Sequence, residues 1–348
     1  MILFRIAAVI GGVSFGVLTL FGCSNDELRS TQEIFLKAED VVEAIDGDRF
    51  LEKANAMQQF GNVLYLSGKG YPSIFALDSN FQVIRTIGRL GKGPDEFSSA
   101  PFSFHVSGNR IYSYNSDSKR IQVFSREGDY LRSIPLDPKH YIWYEGLSVD
   151  KRGNLYVTPY LSQNPYSIVK LDSSGTILET FGDLLETSYS ELQNRQMSSR
   201  TIISVNNDYL ITTGDHVPVI ERYSLEGELL QSLDLSDSPY FSERLEFAEE
   251  YYANSGGRGI ASMLSATDAF DSRLYVIPIE GVPGKSLRVN RILELDPESL
   301  DIVHTYALLD LQGDPLRWVG TFEFVSENEL LVFHNTEGVF YQYTLGQE

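Results

Sequence analysis

Gly108-Asn-Arg-Ile-Tyr-Ser-Tyr-Asn-Ser-Asp-Ser-Lys-Arg-Ile-Gln-Val-Phe-Ser-Arg-Glu-Gly-Asp-Tyr-Leu-Arg-Ser-Ile134 reads as three short strands in succession. Ile111, Tyr112 and Tyr114 mark the first, Ile121, Val123 and Phe124 the second, and Tyr130, Leu131 and Ile134 the third. β-branched and aromatic residues at this density, broken by polar turns, are a strand signal. Glu127-Gly128-Asp129 supplies a tight hairpin between the last two. A further apolar run, Phe102-Ser-Phe-His-Val106, precedes the unit. That makes four strands.

Working outward, the same grammar returns five times. It is seen in Gly61-Asn-Val-Leu-Tyr-Leu66 with Ser73-Ile-Phe-Ala-Leu-Asp78, and in Gly153-Asn-Leu-Tyr-Val157 with Ile168-Val-Lys-Leu-Asp-Ser-Ser-Gly175. It recurs in Asp208-Tyr-Leu-Ile211 with Glu221-Arg-Tyr-Ser-Leu-Glu-Gly227, and in Ser272-Arg-Leu-Tyr-Val276 with Ile292-Leu-Glu-Leu-Asp296. The last copy is Asn328-Glu-Leu-Leu-Val332 with Val339-Phe-Tyr-Gln-Tyr343. Four strands repeated six times, at intervals of about 45–65 residues, predict an all-β fold: a six-bladed β-propeller of four-stranded antiparallel blades. The last unit runs out of chain before its outer strand, whereas Glu33-Ile-Phe-Leu-Lys-Ala-Glu-Asp-Val-Val-Glu-Ala44 has no other home. Pairing that N-terminal strand onto the last blade closes the ring and removes an open edge.

Composition narrows the partners. Lys and Arg number 28 against 48 Asp and Glu, a net charge of −20. Such a molecule repels polyanions, so nucleic acid is excluded as a partner. The aromatic share of 12% leaves ample material for a core in 348 residues. The single cysteine, Cys23, rules out an intrachain disulfide.

Its position gives that cysteine another purpose. Residues 1–22 carry one charge, Arg5, followed by the apolar stretch from Ile6 to Leu20, which has signal-peptide rather than membrane-spanning length. Leu20-Phe21-Gly22-Cys23 resembles the lipobox of bacterial lipoproteins. The resemblance implies cleavage after Gly22 and acylation of Cys23, so the lipid would be the link to the membrane. Residues 23–32 are a polar tether and 33–348 the propeller. Ser24 resembles the second mature residue of lipoproteins sent to the outer membrane, and Asp26-Glu27 resembles the surface-export signal of Bacteroidetes lipoproteins. The cell envelope is the expected location, with the side of the membrane left open.

Gly88-Arg-Leu-Gly-Lys-Gly-Pro-Asp-Glu-Phe97, then Pro101 and the unit quoted first, resembles an NHL repeat. With the lipobox, the chain is similar to the six-bladed propeller lipoproteins of Bacteroidetes. The glycine-rich run is expected to be a turn between blades, because Pro94 and Phe97 lead into a strand and not into the helix a phosphate cradle needs.

No compact catalytic motif is present. There is no Gly-x-Ser-x-Gly, and His105, His140, His216, His304 and His334 lack metal-ligand spacing. No cofactor is expected and no metal site is assigned. A binding or scaffold module acting through its channel face is therefore the leading expectation. The alternative is a metal-dependent lyase or hydrolase, using calcium or zinc at the central channel. The loops entering the inner strands are unequal. Those near 183–200 and 236–262 are long, and Leu245, Ala248 and Tyr252 within Glu243–Tyr252 have the spacing of a helix face. Arg200, Arg258 and Arg317 stand before inner strands, with Tyr141 and Trp143 before the third. Together they are expected to line the channel mouth and to suit a small anionic ligand, a glycan, a peptide or a protein.

Overall fold

A computed structural model describes residues 33–137, 142–159, 165–205, 208–255 and 260–346. Six antiparallel blades of four strands follow one another along the chain, the first five built from consecutive strands and the sixth completed by an N-terminal strand. The first strand of each is innermost: Ala54–Phe60, Phe104–Ser107, Ile142–Val149, Arg200–Val205, Leu264–Phe270 and Val319–Ser326. Each packs against the next, and the sixth meets the first, so the ring is closed. The molecule is a six-bladed β-propeller.

The core lies between blades. Six buried clusters occupy the six gaps; Ile121, Val123 and Leu155, for example, fill the space between blades two and three. The middle strands are covered on both faces, so Leu155–Pro159 is buried throughout and Val63–Gly68 along all but its first residue. Outer strands are wetter, which leaves Ile84, Leu131 and Leu178 exposed on the rim. The hairpins Glu127–Asp129 and Ser174–Thr176 close third onto fourth strands as the repeats predict.

The N-terminal segment closes the ring in two steps. Asp40–Val42 pairs antiparallel with Val339–Thr344 and supplies the fourth strand of blade six. Glu33–Lys37 instead pairs parallel with Ile302–Leu309, adding a fifth strand to blade five. The crossing takes two residues: Ala38 N–H donates to the Leu309 carbonyl and Glu39 N–H to that of Gln342. Twelve residues exceed a blade-length strand, and the excess is used on the neighbouring edge.

The glycine-rich run is a clamped connector. Arg89–Leu90 pairs parallel with Glu96–Phe97. At Gly88 (φ +73°) a Cβ would fall 2.3 Å from the Phe97 ring, and at Gly91 (φ +154°) one would fall 2.0 Å from the Glu96 carboxylate. Only glycine fits both conformations and both contacts. Arg120 donates to the Gly93 carbonyl at 2.6 Å, and Gln122 to the carbonyls of Pro94 (2.5 Å) and Glu96 (3.1 Å). The Arg-Ile-Gln-Val-Phe strand thus grips the loop that precedes its own blade.

Two helices stand in the long connectors: α1 (Glu191–Met197) before blade four and α2 (Ser242–Asn254) before blade five. Ala248 and Tyr252 are buried against the blade four and five cluster with Leu245 half-buried beside them, as the spacing predicts. Arg244 is buried too, donating to the Ser262 carbonyl. The two connectors meet where the Tyr189 and Tyr252 rings pack edge to face.

Candidate functional site

The innermost strands have one edge without a strand partner, facing the channel. Polar groups on these strands and their neighbours bridge the joints between blades. Gln58 exchanges two hydrogen bonds with the Val106 backbone, at 2.7 and 3.2 Å. His105 hydrogen-bonds to the Val149 backbone. Thr158 donates to the Arg200 carbonyl, and Thr213 pairs with Thr267. Ser265 donates to the Val319 carbonyl, and the Gln59 N–H donates to Glu323 at 2.9 Å. Every joint is laced.

Where this lacing ends, on the face formed by the hairpins from first to second strands, the channel opens into a cavity of about 620 Å³. Its walls come from three blades: Gln58 and Gln59 from blade one, Asp268 and Phe270 from blade five, and Glu323 and Asn328 from blade six. A second cavity of about 560 Å³ lies in the wedge between blades five and six. There Glu294 accepts from the Tyr306 hydroxyl at 2.6 Å and from His304 Nδ1 at 3.1 Å, with Arg273 Nε at 3.5 Å.

Burial governs the electrostatics of the channel. Asp268 keeps some solvent-accessible surface, but its Oδ2 is shut off from solvent. Desolvation pushes its pKa up to about 6, against the opposing pull of the Ala269 and Phe324 N–H groups. Desolvation pushes His105 down to about 4, with its bond to Val149 resisting. The signs oppose. Asp268 contributes stability that is fully present below the ordinary aspartate range and is lost as pH rises through about 6. His105 contributes stability present above the ordinary histidine range and lost as pH falls towards about 4. Asp268→Asn should therefore gain stability relative to the wild type by roughly 2 kcal/mol between pH 4 and pH 7. Urea unfolding at both pH values measures this; an equal difference at the two would show that Asp268 titrates as an ordinary carboxylate.

The residues expected at the channel mouth are placed as follows. Arg200, at the head of the blade four inner strand, is buried and points into the blade. Its Nε lies 3.5 Å from Glu221, and Nη1 donates to the Met197 and Ser199 carbonyls. Arg317 is exposed just before the blade six inner strand, beside Trp318. Trp143 falls in the inner strand of blade three. Tyr141, Arg258 and Cys23 lie outside the described residues. Of the five mouth candidates, only the side chains of Arg200 and Arg317 are described, Arg200 turned into its own blade and Arg317 exposed. The cavity described above gathers Gln58, Gln59, Asp268 and Glu323 near the far ends of the inner strands. Sequence reading missed that group because the four come from three different repeats. Their one local signal is a polar residue late in an inner strand, where apolar residues predominate.

Among the described residues no cluster of histidine, cysteine and carboxylate side chains has metal-holding geometry, and no helix is long and apolar enough to cross a membrane. No family model matches the chain, and no curated protein matches it. Solved structures do. An exported protein of Bacteroides fragilis is 12% identical with a TM-score of 0.59, over 91% of this chain and all of that one. A member of the DUF4221 family from Bacteroides vulgatus is 12% identical with a TM-score of 0.55, over 90% and 98%. Virginiamycin B lyase of Staphylococcus aureus is 11% identical with a TM-score of 0.52, over 89% of each chain. At these identities the likeness is one of fold: this chain shares the propeller architecture of all three.

Proposed function

We propose that the protein is an exported lipoprotein of the bacterial cell envelope, acylated on Cys23 and held at the outer membrane, that binds a ligand at the hairpin-face mouth of its channel. The lipobox-like Leu20-Phe21-Gly22-Cys23 and the resemblance to Bacteroidetes propeller lipoproteins support the anchor. The observation that carries the binding role is the mouth cavity itself. It is large enough for a small ligand or a side chain, and three rigid blades converge on it with carboxylates, amides and one phenyl ring. A cavity set where separate blades meet is positioned by the ring and not by one loop. The Gln58 amide and the Glu323 carboxylate are engaged in holding neighbouring blades together, which favours binding over the lyase or hydrolase alternative.

A thermal-shift screen of the mature protein against glycans, peptides and polyamines tests this. Stabilising compounds should lose their effect on Asn328→Trp, which fills the mouth from an exposed hairpin. Hits that stabilise Asn328→Trp equally would put the site elsewhere. Conversion of a hit into product, seen by mass spectrometry, would favour the enzyme.

A further inference from the structure

Glu33–Lys37 forms the outer edge of blade five, and it differs from the other rims. The outer strands of blades one to four each join their neighbour through a β-bulge, which twists an edge away from further pairing. Blade six ends on only three residues, Asp40–Val42. Glu33–Lys37 instead pairs in unbroken register over five residues, with no bulge and no proline. Phe35 stands at its centre, 64% exposed. A regular edge carrying an apolar side chain is a template for another strand.

The backbone is set for that pairing. Ala38 N–H donates to the Leu309 carbonyl, and peptide groups alternate along a strand, so Leu36 and Ile34 also turn theirs towards blade five. Glu33, Phe35 and Lys37 therefore turn their N–H and C=O groups outward, where no backbone partner stands among the described residues. The side chains say what fits there. Glu-Ile-Phe-Leu-Lys is self-complementary about Phe35: run antiparallel against a copy of itself, it sets Glu33 opposite Lys37, Ile34 opposite Leu36 and Phe35 opposite Phe35. All three outward-facing pairs then exchange hydrogen bonds. A slip of two residues either way sets Phe35 against a charge and drops one pair. Lys37 is exposed and has no carboxylate partner of its own among the described residues, and Glu33 keeps a third of its side chain exposed beside Arg291.

We infer that two copies of this protein join through Glu33–Lys37, antiparallel across a two-fold axis at Phe35, so that their five-stranded blade five sheets become one. Five residues a side make a small contact, which places the dimer in the weak, reversible class. The net charge of −20 on each copy opposes it, but at physiological ionic strength that repulsion is screened over about 8 Å. Anchoring through Cys23, as proposed above, would hold the copies on one surface and raise their effective concentration.

Sedimentation velocity of residues 25–348, which hold every strand of the ring and no cysteine, is the test. The sedimentation coefficient should climb from monomer towards dimer as concentration rises. Phe35→Lys should stay monomeric, because two ammonium groups then meet at the axis. Lys37→Glu should weaken the dimer about tenfold, since it sets carboxylates opposite each other at both ends. Both side chains are exposed, so the variants should melt with the parent protein. Leu131→Lys, exposed on the outer strand of blade two, should leave the dimer unchanged. Phe35→Cys should cross-link under mild oxidation, because hydrogen-bonded opposite residues lie about 5.5 Å apart, within disulfide reach. Leu131→Cys should not. A monomer at every concentration up to about 1 mM overturns the inference. So does a dimer that survives Phe35→Lys, or equal cross-linking of the two cysteine variants. Should Phe35→Lys melt early, Lys37→Glu and the cross-link decide. The channel mouth takes no part in this contact, so failure here leaves the binding role standing.

Discussion

Deleting residues 33–42 from the mature protein should give a chain that aggregates or unfolds well below the temperature of the full-length form. The segment covers two edges at once. It pairs along Thr305–Leu309 on blade five and along Phe340–Gln342 on blade six. Arg291 bonds to Glu33, and Thr344 to Glu39, so both strands are also tied by side chains. Each ladder hydrogen bond is worth about 1 kcal/mol net, and burying Leu36 about 2 kcal/mol more. Summed over both strands, the loss is comparable with the whole 5–15 kcal/mol stability typical of a folded protein. The exposed Phe340 edge would then be open to pairing with another chain. Deleting residues 24–31 should leave solubility and melting temperature unchanged. Light scattering and thermal melts of the two truncations compare them directly, and equal behaviour would show that the ring does not depend on this closure.

Much of this architecture was legible because a propeller writes its unit six times. The two turns in residues 108–134 recur at matching places, and the sequence period sets the number of blades. The split of residues 33–44 between two blades was not legible. Nothing in Glu33–Ala44 marks where one pairing stops, since that is decided by how near the Leu309 and Gln342 carbonyls lie to Ala38 and Glu39 in space. The candidate site was hidden for a related reason. Gln58, Asp268 and Glu323 are separated by scores of residues and converge only when the ring closes. Arg200 shows the opposite hazard. Its position before an inner strand suits a channel mouth, but the register Arg200↔Gly214 and the nearness of Glu221 turn it into the blade.

Arg200→Ala should accordingly act on stability. The guanidinium is buried, and its carboxylate partner Glu221 is mostly so. Glu221 also accepts from the Thr212 hydroxyl, and Arg200 donates to the carbonyls of Met197, the last residue of α1, and of Ser199 just beyond it. A cation there also complements the negative end of the helix dipole. Removing one partner of a buried pair leaves the other charge uncompensated, which costs about 3–5 kcal/mol. The Met197 and Ser199 carbonyls would lose donors as well. Pairing Arg200→Met with Glu221→Leu should recover most of the loss, because two apolar side chains of similar volume remove both charges together. Arg317→Ala, on an exposed side chain, should change stability by less than about 0.5 kcal/mol. Chemical denaturation of the four proteins decides the matter. Should Arg200→Ala unfold at the wild-type midpoint, the ion pair contributes nothing, and Arg200 returns to being a candidate for the anionic ligand site that its place in the sequence implied.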